Sequence, residues 1–184
     1  MLVVDRVPGL IAAISLALLF AVAGLHKLRA FGEFVRTLQA YEVFPAALTR
    51  PIGLAVAALE LLVAIGLLGS AWRQAACLAG AGLLASYASA IGVNLRRGRR
   101  QIDCGCAGFG KRRGISGLLI WRNSALCAAL LAVGWFSWSS RPLAWVDIGT
   151  VAGGVCAVVL LYLSCDGLLE LSQAGAARSV RSRA

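Results

Sequence analysis

Residues 52–71 read IGLAVAALELLVAIGLLGSA, an apolar run in which Glu60 is the only charged residue. An α-helix rises about 1.5 Å per residue, so a run of roughly 20 residues is long enough to cross the hydrocarbon core of a bilayer. Within lipid, a helix also satisfies its own backbone hydrogen bonds, which an open strand cannot do. This stretch therefore predicts a transmembrane helix.

Four further apolar runs of similar length occur at residues 7–25, 75–95, 115–138 and 143–169. The chain of 184 residues is 60% hydrophobic and has a mean hydropathy of +0.82. This composition excludes a disordered chain and a water-soluble domain. We therefore predict an all-α integral membrane protein with five spans and no separate soluble domain.

The segment between the first two spans is amphipathic rather than uniformly apolar. Phe31, Phe34, Val35, Leu38 and Tyr41 recur at steps of three and four residues, with polar residues between them. That spacing places the apolar side chains on one face of a helix. We expect a short helix that lies in the membrane interface.

The basic residues set the expected orientation. The formal net charge is +10 at pH 7, and most Lys and Arg residues fall in the 26–50 loop, the 96–114 loop and the C-terminal tail. Five spans put these three segments on one side, which the positive-inside rule makes cytoplasmic, with the N-terminus outside. There the basic residues would meet anionic membrane lipid. We expect no nucleic-acid partner, because the modules that read nucleic acid are absent.

The 96–114 loop carries Cys104-Gly105-Cys106 between two basic runs. Cysteines one residue apart can close a small, strained disulfide that is easily reduced. Nearby Arg and Lys residues stabilise the thiolate, the form that attacks disulfides. We interpret Cys104 and Cys106 as a thiol–disulfide exchange pair; two inert cysteines, or half of a metal site with His26, are the alternatives. We expect no metal site, because a second Cys/His pair is missing.

Polar residues within the spans form a second candidate group. A lone charge such as Glu60 or Arg122 costs at least about 2.5–3.5 kcal/mol inside a membrane, so we expect these two to pair. Asn94 and Asn123 would add hydrogen bonds, and His26 would carry protons. These residues predict a polar pocket beneath the cysteine loop; a purely structural ion pair is the alternative.

From about residue 26 to residue 135, the sequence resembles the methylamine utilisation protein MauE family, within the wider DoxX-like group of redox-associated membrane proteins. The resemblance rests on His26-Lys27-Leu28, Tyr41-Glu42-Val43-Phe44-Pro45, Leu59-Glu60-Leu61, Cys104-Gly105-Cys106 with Phe109-Gly110, and Trp121-Arg122-Asn123. It implies a DoxX-like four-helix transmembrane bundle over residues 1–138. An additional transmembrane helix at 139–170 and a basic tail at 171–184 would follow.

The resemblance also implies a function. Members look like bacterial inner-membrane partners of a thioredoxin-like protein that help to form or transfer disulfides in a disulfide-rich client, such as the methylamine dehydrogenase small subunit. This chain would then be a component of a thiol–disulfide oxidoreductase system; no cofactor is firmly implied, and a membrane quinone stays open as electron acceptor. Two rival functions also stay open: a carrier that recognises a small molecule or quinone through Glu60 and Arg122, and a non-catalytic assembly subunit.

Overall fold

The computed structural model describes residues 3–99, 115–138 and 142–181. Six α-helices follow one another along these residues: α1 (Arg6–Arg29), α2 (Phe31–Ala40), α3 (Thr49–Leu68), α4 (Arg73–Arg96), α5 (Gly117–Trp135) and α6 (Trp145–Arg181). A 3-10 helix at Ala46–Leu48 precedes α3, and two-residue strands β1 (Val3–Val4) and β2 (Ser137–Trp138) pair in parallel.

Five of these helices, α1, α3, α4, α5 and α6, are long and apolar enough to cross a membrane. This confirms the prediction of an all-α membrane protein with four spanning helices and a fifth at its C-terminal end. Two of the helices, α1 and α6, run beyond the predicted apolar stretches, because charged residues do not by themselves end a helix. Thus α1 continues past His26 and Lys27 to Arg29, and residues 171–181, predicted as the start of a tail, continue α6.

The chain divides into two compact units, Met1–Arg141 and Pro142–Ala184. In the first unit, α1 packs along α3 and α4 packs along α5, while α3 also contacts α4. Phe20, Leu67 and Leu130, from α1, α3 and α5, are buried in the core of this unit. The second unit contains α6.

The predicted amphipathic helix is present as α2, but its apolar face is covered by protein. Phe34 and Val35 are buried. Phe31, Phe34 and Leu38 lie over Gly53 of α3, where the absence of a side chain leaves room for them. The apolar face that we expected to lie in the membrane interface therefore packs on the bundle.

The contact between α4 and α5 depends on a glycine, which gives a test of the packing. A Cβ atom at Gly134 would lie 2.9 Å from the Cβ of Cys77, whereas a Cβ at Gly82 would meet nothing within 4 Å. We expect Gly134→Ala to lower the free energy of unfolding by about 1–3 kcal/mol through overpacking.

The matched control is Gly82→Ala, which makes the same change in helix propensity and should be neutral or slightly stabilising. Reversible unfolding in mixed micelles would measure both variants. Equal stability of the two would contradict the close approach of α4 and α5 at Gly134.

Candidate functional site

A buried ion pair joins α1 to α3. The Nζ atom of Lys27 lies 2.6 Å from Oε1 of Glu60, and the two side chains are 2% and 1% exposed. The helices approach closely here, because Gly24 lies one turn before Lys27 and a Cβ on it would stand 3.0 Å from Leu61. The bundle therefore holds two opposite charges away from solvent and lipid.

Other groups complete the site. The hydroxyl of Tyr87, on α4, donates a hydrogen bond of 2.7 Å to the same oxygen, Oε1 of Glu60. The Lys27 ammonium also lies 5.3 Å from the ring centroid of Tyr87 and 5.4 Å from that of Phe34. Cations at such distances are attracted to the electron-rich face of an aromatic ring. Lys27 is therefore stabilised by a carboxylate and two rings.

One oxygen of the carboxylate is left over. Oε2 of Glu60 is buried and has no hydrogen-bond partner. A buried acceptor without a partner costs about 1–3 kcal/mol, because it has lost its water and gained nothing in return. Groups of this kind are normally satisfied by an ordered water or a ligand. Oε2 of Glu60 is therefore an unsatisfied acceptor inside the bundle.

A pocket of about 60 Å³ adjoins the ion pair. It is lined by Lys27 and Tyr87, which both bond to Glu60, and by residues of α2 and the turn after it, among them Phe34, Thr37 and Tyr41. A cavity of about 150 Å³ holds benzene, whereas a single water needs only about 10–15 Å³. The pocket is therefore smaller than a benzene-sized cavity and its walls are almost entirely apolar, so a quinone ring would not fit without rearrangement.

The expected pairing of Glu60 with Arg122 is wrong. Glu60 bonds to Lys27 and Tyr87, whereas Arg122 lies on α5, which packs chiefly on α4 rather than on α3. The sequence carries no comparable signal for Lys27, because residues 7–25 are apolar on every face of the helix, and only the structure shows which face is buried. In the second half of α1 the buried residues follow one face of the helix at steps of three and four residues, namely Ala17, Phe20, Gly24 and Lys27.

His26 does not belong to the site. Its side chain is exposed, whereas the neighbouring Lys27 is buried. Successive residues of an α-helix point about 100° apart, so only one of the two can face the bundle. The expected place of His26 in the pocket is therefore wrong, and Lys27 takes it.

The two asparagines are buried but do not bond to Glu60. Nδ2 of Asn94 donates to the carbonyl oxygens of Tyr41, at 3.2 Å, and of Ala90, at 3.1 Å. It therefore ties the end of α2 to α4 rather than serving Glu60 as expected. Asn123 is 2% exposed, and its Nδ2 has no hydrogen-bond partner.

Cys104 and Cys106 lie outside the described residues, but the chain on both sides of them is described. On the near side, Arg99 donates a hydrogen bond of 2.7 Å to Glu42. On the far side, Ile115 is buried in a small cluster with Tyr41, Ile91 and Leu119. Both flanks are therefore held at Tyr41 and Glu42, and Tyr41 lines the pocket.

The remaining cysteines are free. Cys77 is buried, and Cys127, which is half-buried, donates from Sγ to the carbonyl oxygen of Ala81 at 3.7 Å. Cys156 and Cys165 are exposed on α6. The described part of the chain joins none of these four to another.

The Lys27–Glu60 pair allows a double-mutant test. Removing one partner leaves a buried charge alone, so we expect Lys27→Met and Glu60→Leu each to cost about 3–5 kcal/mol of unfolding free energy. The double variant should cost less than the sum by about 0.5–3 kcal/mol. His26→Met, at the exposed neighbour, is the control and should change little. Strict additivity in reversible unfolding would exclude the interaction.

The Glu42–Arg99 pair predicts a pH dependence outside the membrane. The hydrogen bond and charge of Arg99, with the charge of Arg97, lower the pKa of Glu42. The pair is therefore fully formed above the ordinary pKa of a glutamate and is lost as the pH falls through the lowered value. We expect Arg99→Gln to raise the pKa of Glu42 toward its ordinary value in a ¹³C NMR titration. An unchanged titration curve would show that the two side chains do not interact in solution.

Comparison with known proteins identifies the relatives of this chain. The family model described as methylamine utilisation protein MauE matches residues 6–137. A methylamine utilization protein MauE of Paracoccus denitrificans is 37% identical over 163 residues, which cover 88% of this chain and 87% of that protein. The protein of the same name from Methylorubrum extorquens is 34% identical over 170 residues, covering 91% of this chain and 90% of its own length.

A further relative of that name, from Paracoccus versutus, is 38% identical over 155 residues, which cover 83% of this chain and 82% of the relative. No solved structure matches the chain. The family match includes the four spanning helices of the first unit, with Lys27, Glu60 and Tyr87. The chain is therefore a multi-pass membrane protein that belongs to the MauE family.

Proposed function

We propose that this chain is an accessory protein of methylamine utilisation, which supports disulfide formation or maturation of a disulfide-rich client through thiol exchange at Cys104 and Cys106. The relatives are named for methylamine utilisation, and this is the ground for that part of the proposal. The thiol chemistry is inferred from the Cys-Gly-Cys spacing and its basic surroundings.

One structural observation carries the proposal. Arg99, before the cysteine segment, bonds to Glu42, and Ile115, after it, is buried in the same apolar cluster as Tyr41. The turn at Tyr41 and Glu42 borders the pocket at Lys27. The chain therefore enters and leaves the cysteine segment near this turn.

The exchange itself balances without a bound cofactor. A thiolate of the partner attacks the sulfur of Cys104 or Cys106 in their disulfide, and a mixed disulfide forms as the sulfur–sulfur bond breaks. The partner's second thiolate then releases the chain. In total, two electrons and two protons pass from the dithiol to the disulfide, in the direction that the two reduction potentials set.

The partner that suits this reaction is a thioredoxin-like protein, since its paired cysteines undergo the same exchange. The basic residues around the cysteine segment support a cytoplasmic position for it, in a bacterial inner membrane with the N-terminus outside. On that side a thioredoxin-like protein would react first with Cys104 and Cys106. The client would then receive the electrons or the disulfide from the thioredoxin-like protein.

Trapping provides the test. In Cys106→Ser, Cys104 can still attack the disulfide of an oxidised partner, but the chain has no second thiol to resolve the mixed disulfide; with the partner's second cysteine also replaced by serine, the mixed disulfide should accumulate. Non-reducing gels and mass spectrometry of the purified full chain would identify the linked cysteines. Cys127→Ser is the matched control, because it removes a thiol of α5 and should trap nothing.

The double variant Cys104→Ser/Cys106→Ser should lose client maturation entirely, while Cys127→Ser should retain it. Full maturation in the double variant would refute thiol exchange at this pair. It would favour the assembly-subunit alternative, in which the helices and the basic face hold a partner without chemistry.

A further inference from the structure

We propose that the pocket beside Lys27 holds one acyl chain of an anionic phospholipid, whose phosphate lies on Arg97 at the edge of the bundle. The lipid belongs to the leaflet that surrounds this end of the bundle. Two features carry the inference: an apolar pocket, and an unpaired guanidinium next to its open side. It goes beyond the proposed function, because no thiol takes part in it.

The pocket suits an alkyl chain. Its walls are almost entirely apolar and come mainly from α2, the turn after it and α4. Val43 and Phe44 belong to these walls and are 45% and 43% exposed, so they mark the open side of the pocket. An alkyl chain is narrower than a quinone ring and can enter an open pocket lengthwise. The pocket can therefore take a lipid chain, although it is too small for a ring.

The charge of Lys27 does not draw a headgroup into the pocket. The ammonium lies 2.6 Å from Oε1 of Glu60 and faces the rings of Phe34 and Tyr87. A phosphate moved to this place would lose its hydration and would meet a cation that a carboxylate already neutralises. The headgroup therefore stays outside, and only the chain enters.

An unpaired positive charge lies next to the open side. Arg97 is exposed and forms no ion pair within the described part of the chain. It is close enough to Glu42, the residue before Val43, for its charge to act on that carboxylate. Arg99, in contrast, is bound to Glu42 at 2.7 Å. Basic groups beside pockets between spanning helices bind anionic headgroups, and Arg97 is the group available here.

The spacing along α4 fits a single phospholipid. Arg97 follows Ile91, a residue of the pocket wall, by six positions, which is about 9 Å of helix. The backbone N–H of Arg97 still bonds to the carbonyl oxygen of Val93, so the helical path reaches it. One leaflet contributes about 15 Å of hydrocarbon to a bilayer. A phosphate at Arg97 therefore places the first part of its acyl chain at the level of Ile91.

The headgroup, rather than the chain, decides which lipid binds. The bilayer interior is as apolar as the pocket, so a chain gains little free energy by moving from one to the other. A single basic residue near the membrane surface favours an anionic lipid by about fivefold. We therefore expect phosphatidylglycerol to occupy the site about five times more often than phosphatidylcholine at equal concentration.

Photocrosslinking of the full chain in vesicles tests the proposal. Vesicles of dioleoylphosphatidylcholine would carry a trace of either phosphatidylglycerol or phosphatidylcholine with a diazirine in one acyl chain. Mass spectrometry should find the label on Val43, Phe44 or residues 87–91, about five times more often with phosphatidylglycerol. Equal labelling by the two lipids would overturn the proposal. So would a pocket without label, which would show that something other than lipid covers it.

Filling the pocket tests the place of the chain. Ala90→Leu puts a larger side chain in the wall and should reduce labelling of the pocket several-fold. Ala85→Leu makes the same substitution at an exposed position of α4 and should leave that labelling unchanged. Undiminished labelling in Ala90→Leu would show that no chain enters the pocket.

Two exposed charges give a test that leaves the pocket intact. Arg97→Gln should abolish the preference for phosphatidylglycerol. Glu42→Gln should strengthen it, because Arg99 is then no longer neutralised and adds a second positive charge. Arg29→Gln removes the same charge at the exposed end of α1 and should leave the preference unchanged. Equal effects of Arg97→Gln and Arg29→Gln would overturn the proposal, because they would show a diffuse surface charge instead of a site.

Discussion

The ion pair between Lys27 and Glu60 fixes how the first two spanning helices pack. Two buried charges of opposite sign are tolerated where they meet, and either one alone costs several kcal/mol. Sliding α1 along α3 by one helical turn, about 5.4 Å, would separate the ammonium from the carboxylate. Apolar side chains could adapt to such a shift far more cheaply. The pair therefore sets the register of α1 on α3, and Tyr87 extends the same constraint to α4.

The spanning helices could be predicted from the sequence, whereas the partner of Glu60 could not. Hydropathy is a local property, so a run such as 52–71 identifies a membrane span without knowledge of its neighbours. The choice of partner depends on which helices become adjacent. Arg122 and Lys27 both had the right charge and depth, and only the packing of α1 on α3 separates them.

The position of Lys27 at a span end was misleading for a physical reason. Lysines there usually extend to the headgroups, so the sequence alone does not place Lys27 inside the bundle. In the structure the buried face of α1 continues through Phe20 and Gly24 to Lys27, but residues 7–25 are apolar all round, so this face is not visible in the sequence. The apolar face of α2 could be predicted from its periodicity, but what covers that face could not. The same periodic pattern arises whether lipid or protein lies against the helix.

A lysine near the end of a spanning helix ordinarily lets the helix accommodate bilayers of different thickness, because its long side chain can reach up or down to the headgroups. The ammonium of Lys27 is bound inside the bundle and has lost that freedom. When the hydrocarbon core of the bilayer is thinner or thicker than the apolar length of the two helices, α1 and α3 must tilt together, or the lipid must deform around them. The thickness of the host membrane, which its acyl chains set, therefore strains the ion pair of Lys27 and Glu60.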